Sequence, residues 1–193
     1  MGQGYENLEY FVFDGGSTDG TIDVLRRYDG RITYWESQRD AGQADAINKG
    51  LARATGDIVG WINSDDYYLP KTLATVAARL DPSRPELLGG NCLHVSEETG
   101  AALGSNVPGS SLAFDLRLAD YLIQPATFWT AAAWKSVGPL TTALHYTFDW
   151  EWFIRAQQKG VEIRTIADYL AVYRIHAGHK TGSGGDRRSE ELR

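Results

Sequence analysis

The sequence has little cysteine and no long apolar run. Cys92 is the only cysteine, which excludes an internal disulfide and a thiolate metal cage. A chain of this kind suits a reducing compartment. No stretch approaches 18 apolar residues, and the first residues lack the apolar segment of a signal peptide. The sequence therefore predicts a soluble, cytoplasmic chain without a membrane span, and leaves open a peripheral association with the inner face of a membrane.

Runs of basic residues are also missing. The formal net charge of the 193 residues is -6, and the longest basic runs are the pairs Arg26-Arg27 and Arg187-Arg188. This excludes a nucleic-acid-binding face that neutralises many phosphates. A nucleotide ligand is still compatible with the charge, because one metal ion and a few hydrogen-bond donors can neutralise its phosphates.

Short apolar segments alternate with amphipathic ones in the first half of the chain. The apolar segments predict strands at residues 8–13, 32–35 and 57–62. The amphipathic segments predict helices at residues 18–28 and 43–53, and Pro70 marks the first turn of a third helix. Strands that alternate with helices across short links predict an α/β domain with parallel strands.

The second half is less regular. Its pattern predicts a hairpin, a strand leading into a helix, a further helix and two closing strands. These elements lie at residues 87–95 with a return strand after 97–100, at 128–137, 149–159, 161–166 and 169–175. Without an internal repeat or a linker, the sequence predicts one domain over residues 1–181. Glycine, serine and mixed charges predict a disordered tail over residues 182–193.

Two acidic turns follow predicted strands, one at Asp14 and one at Asn63–Asp66. Ligands of an open α/β sheet bind outside the carboxyl ends of its strands, and carboxylates there suit Mg²⁺ or Mn²⁺. Asp and Asn are also common in turns for local reasons. For Asp14 both interpretations stay open. For the second turn a functional interpretation is favoured, because the adjacent carboxylates Asp65 and Asp66 repel each other unless a cation or hydrogen bonds compensate.

Several blocks of the sequence resemble a known family. They are FDGGSTDGT at 13–21, DAGQADAINKG at 40–50, GWINSDD at 60–66 with LP at 69–70, QPATF at 124–128, FDWEWFIR at 148–155 and YRIHAG at 173–178. In order and spacing they resemble an inverting family 2 glycosyltransferase of the GT-A fold, over about residues 5–181. The resemblance implies a mostly parallel central sheet with helices on both faces. It also implies a nucleotide-sugar donor (UDP-, GDP- or dTDP-linked) and a hydroxyl acceptor on a polysaccharide or a lipid-linked glycan.

The resemblance assigns nucleotide-binding roles to five residues. Asp14 and Gly15 would line the pocket for the base and ribose, and Asp40 would hold the nucleotide from the next strand end. Asn63 and Ser64 occupy the first two positions of the family's Asp-X-Asp motif. Because Asn63 replaces an acid, the site has one negative charge fewer, although an amide oxygen can still accept a hydrogen bond or ligate a cation.

The same resemblance assigns the metal and the base. Asp65 would bind Mg²⁺ or Mn²⁺ and the diphosphate, and His176 would lie near that metal. Asp149 would be the catalytic base that takes the proton of the acceptor hydroxyl. Two simpler alternatives stay open: Asp149 as the N-cap of the helix that follows, and His176 as an ordinary surface or core histidine.

Other polar residues have structural interpretations. We expect two salt bridges at helical i,i+4 spacing, Glu151 with Arg155 and Asp45 with Lys49. Asn48 is expected to brace the acidic turn. The tryptophans are expected mostly in the core, at positions 61, 129, 134, 150 and 152.

The resemblance also points to a missing unit. The family's domain normally begins with a strand and a helix before the segment at residues 4–8, and this chain starts there. Without a central strand, two neighbours would keep unpaired edges. Either the chain is a fragment or a misassigned start of a longer protein, or it covers that edge in another way, and a homodimer that pairs there is one hypothesis. Donor binding should be weaker than in a complete relative. A non-catalytic relative that binds only nucleotide or a partner is the alternative function. A phosphotransferase fits worst, because the sequence lacks a Walker loop.

Overall fold

The structure is a computed structural model that describes residues 2–109, 114–178, 180 and 185–192. Its strands are β1 (Phe11–Asp14), β2 (Tyr34–Ser37), β3 (Ile58–Val59), β4 (Tyr67–Tyr68), β5 (Glu86–Ser96), β6 (Ala102–Gly104), β7 (Thr127–Thr130) and β8 (Glu162–Ile175). Its helices are α1 (Thr21–Arg27), α2 (Gln43–Arg53), α3 (Thr72–Ala77), α4 (Ala131–Val137), α5 (Phe148–Gln158) and α6 (Gly185–Glu191). None of the helices in the described ranges is long and apolar enough to cross a bilayer.

The strands form two sheets. β1 pairs with β2 in a parallel two-stranded sheet, and the larger sheet has the order β3-β7-β5-β8-β4 with β6 added to β5. Within the larger sheet β5 and β8 are parallel, and the other pairs are antiparallel. The predicted α/β class is observed, with mixed pairing in the larger sheet.

Helices cover both faces of the larger sheet. Leu87 packs in a cluster with residues of α2, α4 and α5, whereas its neighbour Leu88 packs in a second cluster with residues of α3. Because successive strand residues point to opposite faces, the two clusters are the cores of the two faces. The first contains Trp129 and Trp152, both fully buried, and Trp134 packs against it. These tryptophans are core residues, as the sequence predicts.

The predicted elements differ from the observed ones mainly in the strands. α2 has its predicted bounds, but β3 is only two residues long and β4 was not predicted. The two predicted closing strands are one strand, β8. They are joined because Asn91 donates a hydrogen bond to the carbonyl of Ala167 at 3.0 Å, which holds an irregular stretch of β8 against β5.

The end of the chain also differs from prediction. The expected disordered tail contains α6 in the described residues 185–192. The carboxylate of Glu191 accepts hydrogen bonds from the backbone N–H groups of His145, Tyr146 and Thr147. The short helix is thereby held against the segment that leads into α5.

β1 and β3 are edge strands of their respective sheets. Near their amino ends the carboxylate of Glu9 accepts hydrogen bonds from the N–H groups of Thr55 at 2.8 Å and Gly56 at 3.1 Å. Past the carboxyl end of β3, the side chain of Asn63 accepts a hydrogen bond from Gln43, the first residue of α2, at 2.6 Å. Among the described residues neither strand pairs on its second side.

Candidate active site

A cavity of about 1620 Å³ opens at the carboxyl ends of β1 and β3 and continues between the two strands. Its wall contains five of the predicted site residues, namely Asp40, Asn63, Ser64, Asp65 and Asp149. These residues come from three separate parts of the sequence. The fold therefore brings them to one place, at the edge of the sheet where ligands of α/β proteins bind.

The two carboxylates in the turn after β3, Asp65 and Asp66, have different surroundings. Asp66 is buried and accepts hydrogen bonds from the Arg174 backbone N–H at 3.0 Å and from the Asn63 side chain at 3.2 Å. Burial raises the pKa of Asp66, and the charge of Asp65 adds to the rise. The Asp65 side chain keeps 35% of its surface exposed. Asp66 braces the turn, and Asp65 is the carboxylate available to a ligand.

Asn63 is held from three sides. Its side-chain oxygen accepts from Gln43, and its side-chain nitrogen donates to Asp66 and, at 3.3 Å, to the oxygen of Gln124. Gln124 in turn donates to the carbonyl of Trp61 at 2.8 Å. An aspartate could not donate to these two acceptors, so the amide at position 63 suits the neighbours that it has.

His176 follows β8 and lies beside Asp65. Its Nε2 is 3.0 Å from Oδ2 of Asp65, and its Nδ1 accepts a hydrogen bond from the N–H of Gly178 at 3.2 Å. Because Nδ1 is an acceptor, the proton of the neutral ring lies on Nε2. His176 therefore donates to Asp65 in this arrangement and orients its carboxylate. To bind a metal through Nε2, the neutral ring would have to carry its proton on Nδ1 instead, which would break the hydrogen bond from Gly178.

A divalent cation at Asp65 would need further ligands from a substrate or from water. The described residues contain no group of three or more His, Cys, Asp or Glu side chains that could hold a metal. Mg²⁺ commonly uses one or two carboxylates and completes its shell with phosphate oxygens and water. The open carboxylate of Asp65 fits that pattern, whereas a closed all-protein cage does not fit this site.

The Asp14 turn is arranged differently. The Asp14 carboxylate accepts hydrogen bonds from Gly16 and Ser17 N–H groups and from the hydroxyls of Ser17 and Ser37. Burial would raise the pKa of Asp14, but these bonds together outweigh it and hold the pKa below its ordinary value. Neither Asp14 nor Gly15 is part of the cavity wall. Asp14 braces its turn here, and its predicted contact with a nucleotide stays a prediction.

Gly15 has a steric role beside the cavity. A β-carbon at this position would lie 3.3 Å from Oδ2 of Asp40, a tight contact. Asp40 also accepts a hydrogen bond from the N–H of Gly42 at 2.8 Å, just before α2. The glycine thus lets the Asp40 side chain lie between the first turn and the amino end of α2, where it faces the cavity.

Asp149 lies in the first turn of α5, and the N-cap position belongs to Thr147. The interpretation of Asp149 as an N-cap is therefore wrong, since the helix starts one residue earlier than predicted. Burial raises the pKa of Asp149, while a hydrogen bond from the N–H of Trp150 at 2.9 Å acts in the opposite direction. A carboxylate with a raised pKa is a stronger base than an exposed one, which is the property that proton abstraction needs.

Asp120 and Lys180 also line the cavity, and the sequence did not point to either. Asp120 is open to the cavity at its surface, but the surrounding protein atoms raise its pKa to about 7, with a further contribution from the charge of Asp149. Lys180 donates to Gln43 at 2.7 Å. Burial lowers the pKa of Lys180, and the charge of Asp149 opposes this shift. Isolated Asp and Lys residues outside the recognised blocks carry no signal in a single sequence.

The expected salt bridges are present. Glu151 and Arg155 form an ion pair at 2.5 Å, and Asp45 and Lys49 form one at 2.9 Å. The expectation for Asn48 is wrong. Its side chain bonds both the N–H and the carbonyl of Leu140 at 2.9 Å, so it holds the loop after α4 and not the acidic turn.

The model of Glycosyl transferase family 2 matches residues 1–132. The chain belongs to this family. The matched range includes both acidic turns and Asp40, whereas Asp149 and His176 lie beyond it. Membership of glycosyltransferase family 2 confirms the family that the sequence blocks indicate.

Relatives of this family 2 glycosyltransferase include bacterial proteins of similar sequence. An uncharacterized glycosyltransferase of Nostoc sp. is 24% identical over 211 residues, covering 99% of this chain and 63% of its own length. An uncharacterized glycosyltransferase of Mycobacterium tuberculosis is 34% identical over 79 residues, covering 40% of this chain and 30% of its own length. The chain thus spans less than two thirds of either relative.

The structure is also similar to solved glycosyltransferases. Staphylococcus aureus TarS, solved in complex with UDP-GlcNAc, superimposes with a TM-score of 0.73 at 18% identity, covering 94% of this chain and 54% of TarS. TarS in complex with UDP superimposes with a TM-score of 0.70 at 19% identity, covering 90% of this chain and 53% of TarS. At this identity the likeness is one of fold, and it confirms the predicted GT-A fold class.

Proposed function

We propose that this glycosyltransferase moves a hexosyl group from a nucleotide-diphosphate sugar to a hydroxyl acceptor, with inversion at the anomeric carbon. The proposal rests on one observation, which is that Asp65 and Asp149 line the same cavity. A carboxylate open to a ligand stands in the same cavity as a half-buried carboxylate of raised pKa. Leaving-group stabilisation and proton abstraction need these two different environments.

Asp149 is the base in this proposal. Its carboxylate takes the proton of the acceptor hydroxyl while that oxygen forms a bond to the anomeric carbon and the bond to the diphosphate breaks. Asp65 would hold Mg²⁺ or Mn²⁺ at the diphosphate end of the donor, and His176 keeps the Asp65 carboxylate oriented. A divalent cation at Asp65 would supply positive charge against the developing charge of the leaving diphosphate.

The nucleotide in this proposal lies between the two acidic turns. Asp40, Asn63 and Ser64 face the cavity there, and Gly15 lies directly behind the Asp40 side chain. We propose a uridine nucleotide first, because the similar fold of TarS is seen with UDP and with UDP-GlcNAc. GDP- and dTDP-linked sugars are the other donors to compare.

The acceptor we propose is a growing polysaccharide or a lipid-linked glycan. The reaction would take place in the cytoplasm, at the inner face of a membrane when the acceptor is lipid-linked. The family resemblance supports this, together with the single buried cysteine, Cys92. A homodimer belongs to the same proposal, and sedimentation in solution would reveal it.

The experiment is release of free nucleotide from a panel of UDP-, GDP- and dTDP-sugars with Mn²⁺ and a mixed glycan acceptor. We expect one donor class to give release that depends on the acceptor. Asp149→Asn should lower this release by about 1,000-fold and leave nucleotide affinity within about twofold, since the base acts only in the transition state.

The matched control is Glu151→Gln, which changes a carboxylate in the same helical turn that pairs with Arg155. We expect it to keep most of the activity. Equal loss in both variants would show that the helix, and not the base, was damaged. Donor binding without release in the unaltered protein would contradict the proposed transfer.

A further inference from the structure

The wall of the cavity carries charge of mostly one sign. The carboxylates that line it are those of Glu9, Asp40, Asp57, Asp65, Asp66, Asp120 and Asp149. Among the described residues of this wall, Lys180 is the only lysine or arginine. A nucleotide diphosphate would add further negative charge, and a divalent cation at Asp65 would share its charge between that carboxylate and the ligand. An anionic ligand of this cavity would therefore gain most from contact with Lys180.

Lys180 lies where α2 and α5 begin. Its Nζ donates a hydrogen bond to the side-chain oxygen of Gln43, the first residue of α2, at 2.7 Å. The same atom lies 5.3 Å from the ring centroid of Phe148, the first residue of α5, and 5.6 Å from that of Tyr146. A cation within about 6 Å of an aromatic ring is attracted by the electrons of the ring. These contacts place the ammonium group beside the helical turn that carries Asp149.

A chain of hydrogen bonds with one direction connects Lys180 to the turn after β3. Lys180 donates to Gln43, and the amide nitrogen of Gln43 donates to Asn63 at 2.6 Å. Asn63 in turn donates to the buried carboxylate of Asp66 at 3.2 Å. An amide has its donor and its acceptor on different atoms, so the bond to Asn63 directs the oxygen of Gln43 toward Lys180. The position of Nζ is therefore fixed relative to the turn that carries Asp65.

The surroundings of Lys180 suit an additional anion. Burial lowers the pKa of Lys180, while the charges of Asp149 and Glu191 act in the opposite direction. Gln43 and the two aromatic rings are neutral, so they offset only part of the cost of removing an ammonium group from water. An ammonium group has three N–H donors, and it can keep the bond to Gln43 while it donates to a ligand oxygen. A phosphate oxygen at this place would offset the remaining cost.

We propose that the ammonium group of Lys180 donates a hydrogen bond to a phosphate oxygen of the nucleotide-diphosphate donor. This role of Lys180 rests on the proposed function, because it takes that donor as the ligand of the cavity. Lys180 keeps its proton and forms no covalent bond. Its positive charge, held in place before the reaction, stabilises the negative charge that the diphosphate gains when its bond to the anomeric carbon breaks. The diphosphate would then contact two parts of the chain, the turn after β3 and the segment after β8.

Ligand binding to the full chain tests this role without turnover. The probes are UDP, GDP and dTDP, each compared with its own nucleoside, in Mn²⁺ and again in EDTA. In Lys180→Met we expect the affinity for the bound diphosphate to fall by about 10-fold or more in both buffers, because a contact through Nζ does not need the metal. The nucleoside lacks the phosphates, so its affinity should stay within about twofold of that for the unaltered protein.

Two control variants separate the charge of Lys180 from its packing. Lys180→Arg keeps the positive charge and should retain most of the affinity for the diphosphate. Lys49→Met removes a lysine that pairs with Asp45 on α2 and lies outside the cavity wall, and it should change neither affinity. Equal loss of nucleoside and diphosphate binding in Lys180→Met would show a structural role and overturn the proposal. A loss seen only in Mn²⁺ would assign the effect to the metal and also overturn the direct contact.

The hydrogen bond from Lys180 to Gln43 is tested by a double variant. Gln43→Ala should lower the affinity for the diphosphate by about threefold, because Nζ loses the acceptor that holds it in place. It should add little to the loss already present in Lys180→Met. Additive losses in the double variant would show that the two side chains act separately, and would overturn the positioning of Lys180 by Gln43.

Binding to the unaltered protein distinguishes the role of Lys180 from the proposed function. If the unaltered protein binds one of the three diphosphates and Lys180→Met binds it equally well, only the role of Lys180 is wrong. If the unaltered protein binds none of them, the proposed function is wrong, and the role of Lys180 fails with it.

Discussion

The two acidic turns of this glycosyltransferase follow strands of similar composition but use their carboxylates in opposite ways. After β1, Asp14 is surrounded by four hydrogen-bond donors of its own neighbourhood. After β3, the carboxylate of Asp65 has a partially exposed surface and a hydrogen bond from His176. A carboxylate surrounded by donors stabilises its turn, whereas one left open can bind a ligand that supplies positive charge.

The largest expected effect is a loss of nucleotide affinity at the Asp65 turn. We predict that Asp65→Ala lowers the affinity for a nucleotide diphosphate in Mn²⁺ by about 100-fold, since it removes the carboxylate that would contact the cation. The melting temperature should change little, because the partially exposed pair with His176 contributes little stability. Calorimetry with and without Mn²⁺ measures the first effect. Unchanged affinity would contradict the assignment of the metal to this turn.

At the Asp14 turn we expect the opposite pattern, namely lower stability with nearly unchanged nucleotide affinity. Asp14→Ala should lower the free energy of unfolding by about 2 kcal/mol, because several donors lose their acceptor. Nucleotide affinity of the folded variant should stay within about threefold. Urea denaturation at pH 7 is the measurement, with Asp19→Ala, an exposed acid close by, as the control. A stable Asp14→Ala variant that no longer binds nucleotide would show that Asp14 binds the ligand and does not stabilise the turn.

The loss of unfolding free energy in Asp14→Ala should depend on pH, because the pKa of Asp14 is lowered in the folded protein. A carboxyl group with a lowered folded pKa contributes stability above its unfolded pKa, and this contribution is lost as the pH falls through the folded value. The difference in unfolding free energy between Asp14→Ala and the unaltered protein should therefore become smaller at pH values below 3.8, the ordinary pKa of the group. A difference that grows on acidification would argue against a stabilising carboxylate.

A smaller effect tests the amide at position 63. Asn63→Asp would place a second carboxylate against Asp66, whose pKa is already raised by burial. Groups with raised folded pKa values contribute stability at low pH that is lost as the pH rises through those values. We expect the destabilisation to be about 1 kcal/mol larger at pH 8 than at pH 5. The reverse order would mean that the turn tolerates the second acid.

The smallest expected effect concerns the carboxylates of Asp120 and Asp149, which line the same cavity. Asp120→Asn removes a negative charge near Asp149, so the remaining carboxyl group should lose its proton at lower pH. The acid limb of the rate profile should move to lower pH by about one unit or less. Glu151→Gln is the control on the same helix as Asp149. A shift to higher pH would show that the two carboxylates do not repel each other.

The sequence predicted the parts of this molecule that depend on local pattern. The apolar spacing of α2 was sufficient for its bounds, and the order of the blocks was sufficient for the family. The roles within the turns were not predictable. Asp65 and Asp66 are adjacent and identical in type, and the hydrogen bonds from Asn63 and from Arg174, far along the chain, make the second one structural.

Other errors have the same origin in distant contacts. Asn48 lies in a correctly predicted helix, but its partner is Leu140, 92 residues away. Asp120 and Lys180 come from segments without a pattern, and only the folded chain brings them to the cavity of Asp149. The α6 segment looked disordered because its composition is polar, yet a single carboxylate, Glu191, binds it to three backbone groups.

The contact of Glu191 has a practical consequence for handling the protein. The three amides that it binds come just before α5, and Thr147 gives that helix no side-chain cap. Loss of the Glu191 carboxylate would therefore disturb the loop next to Asp149 without changing any site residue. Damage to α6 would then lower activity from a distance.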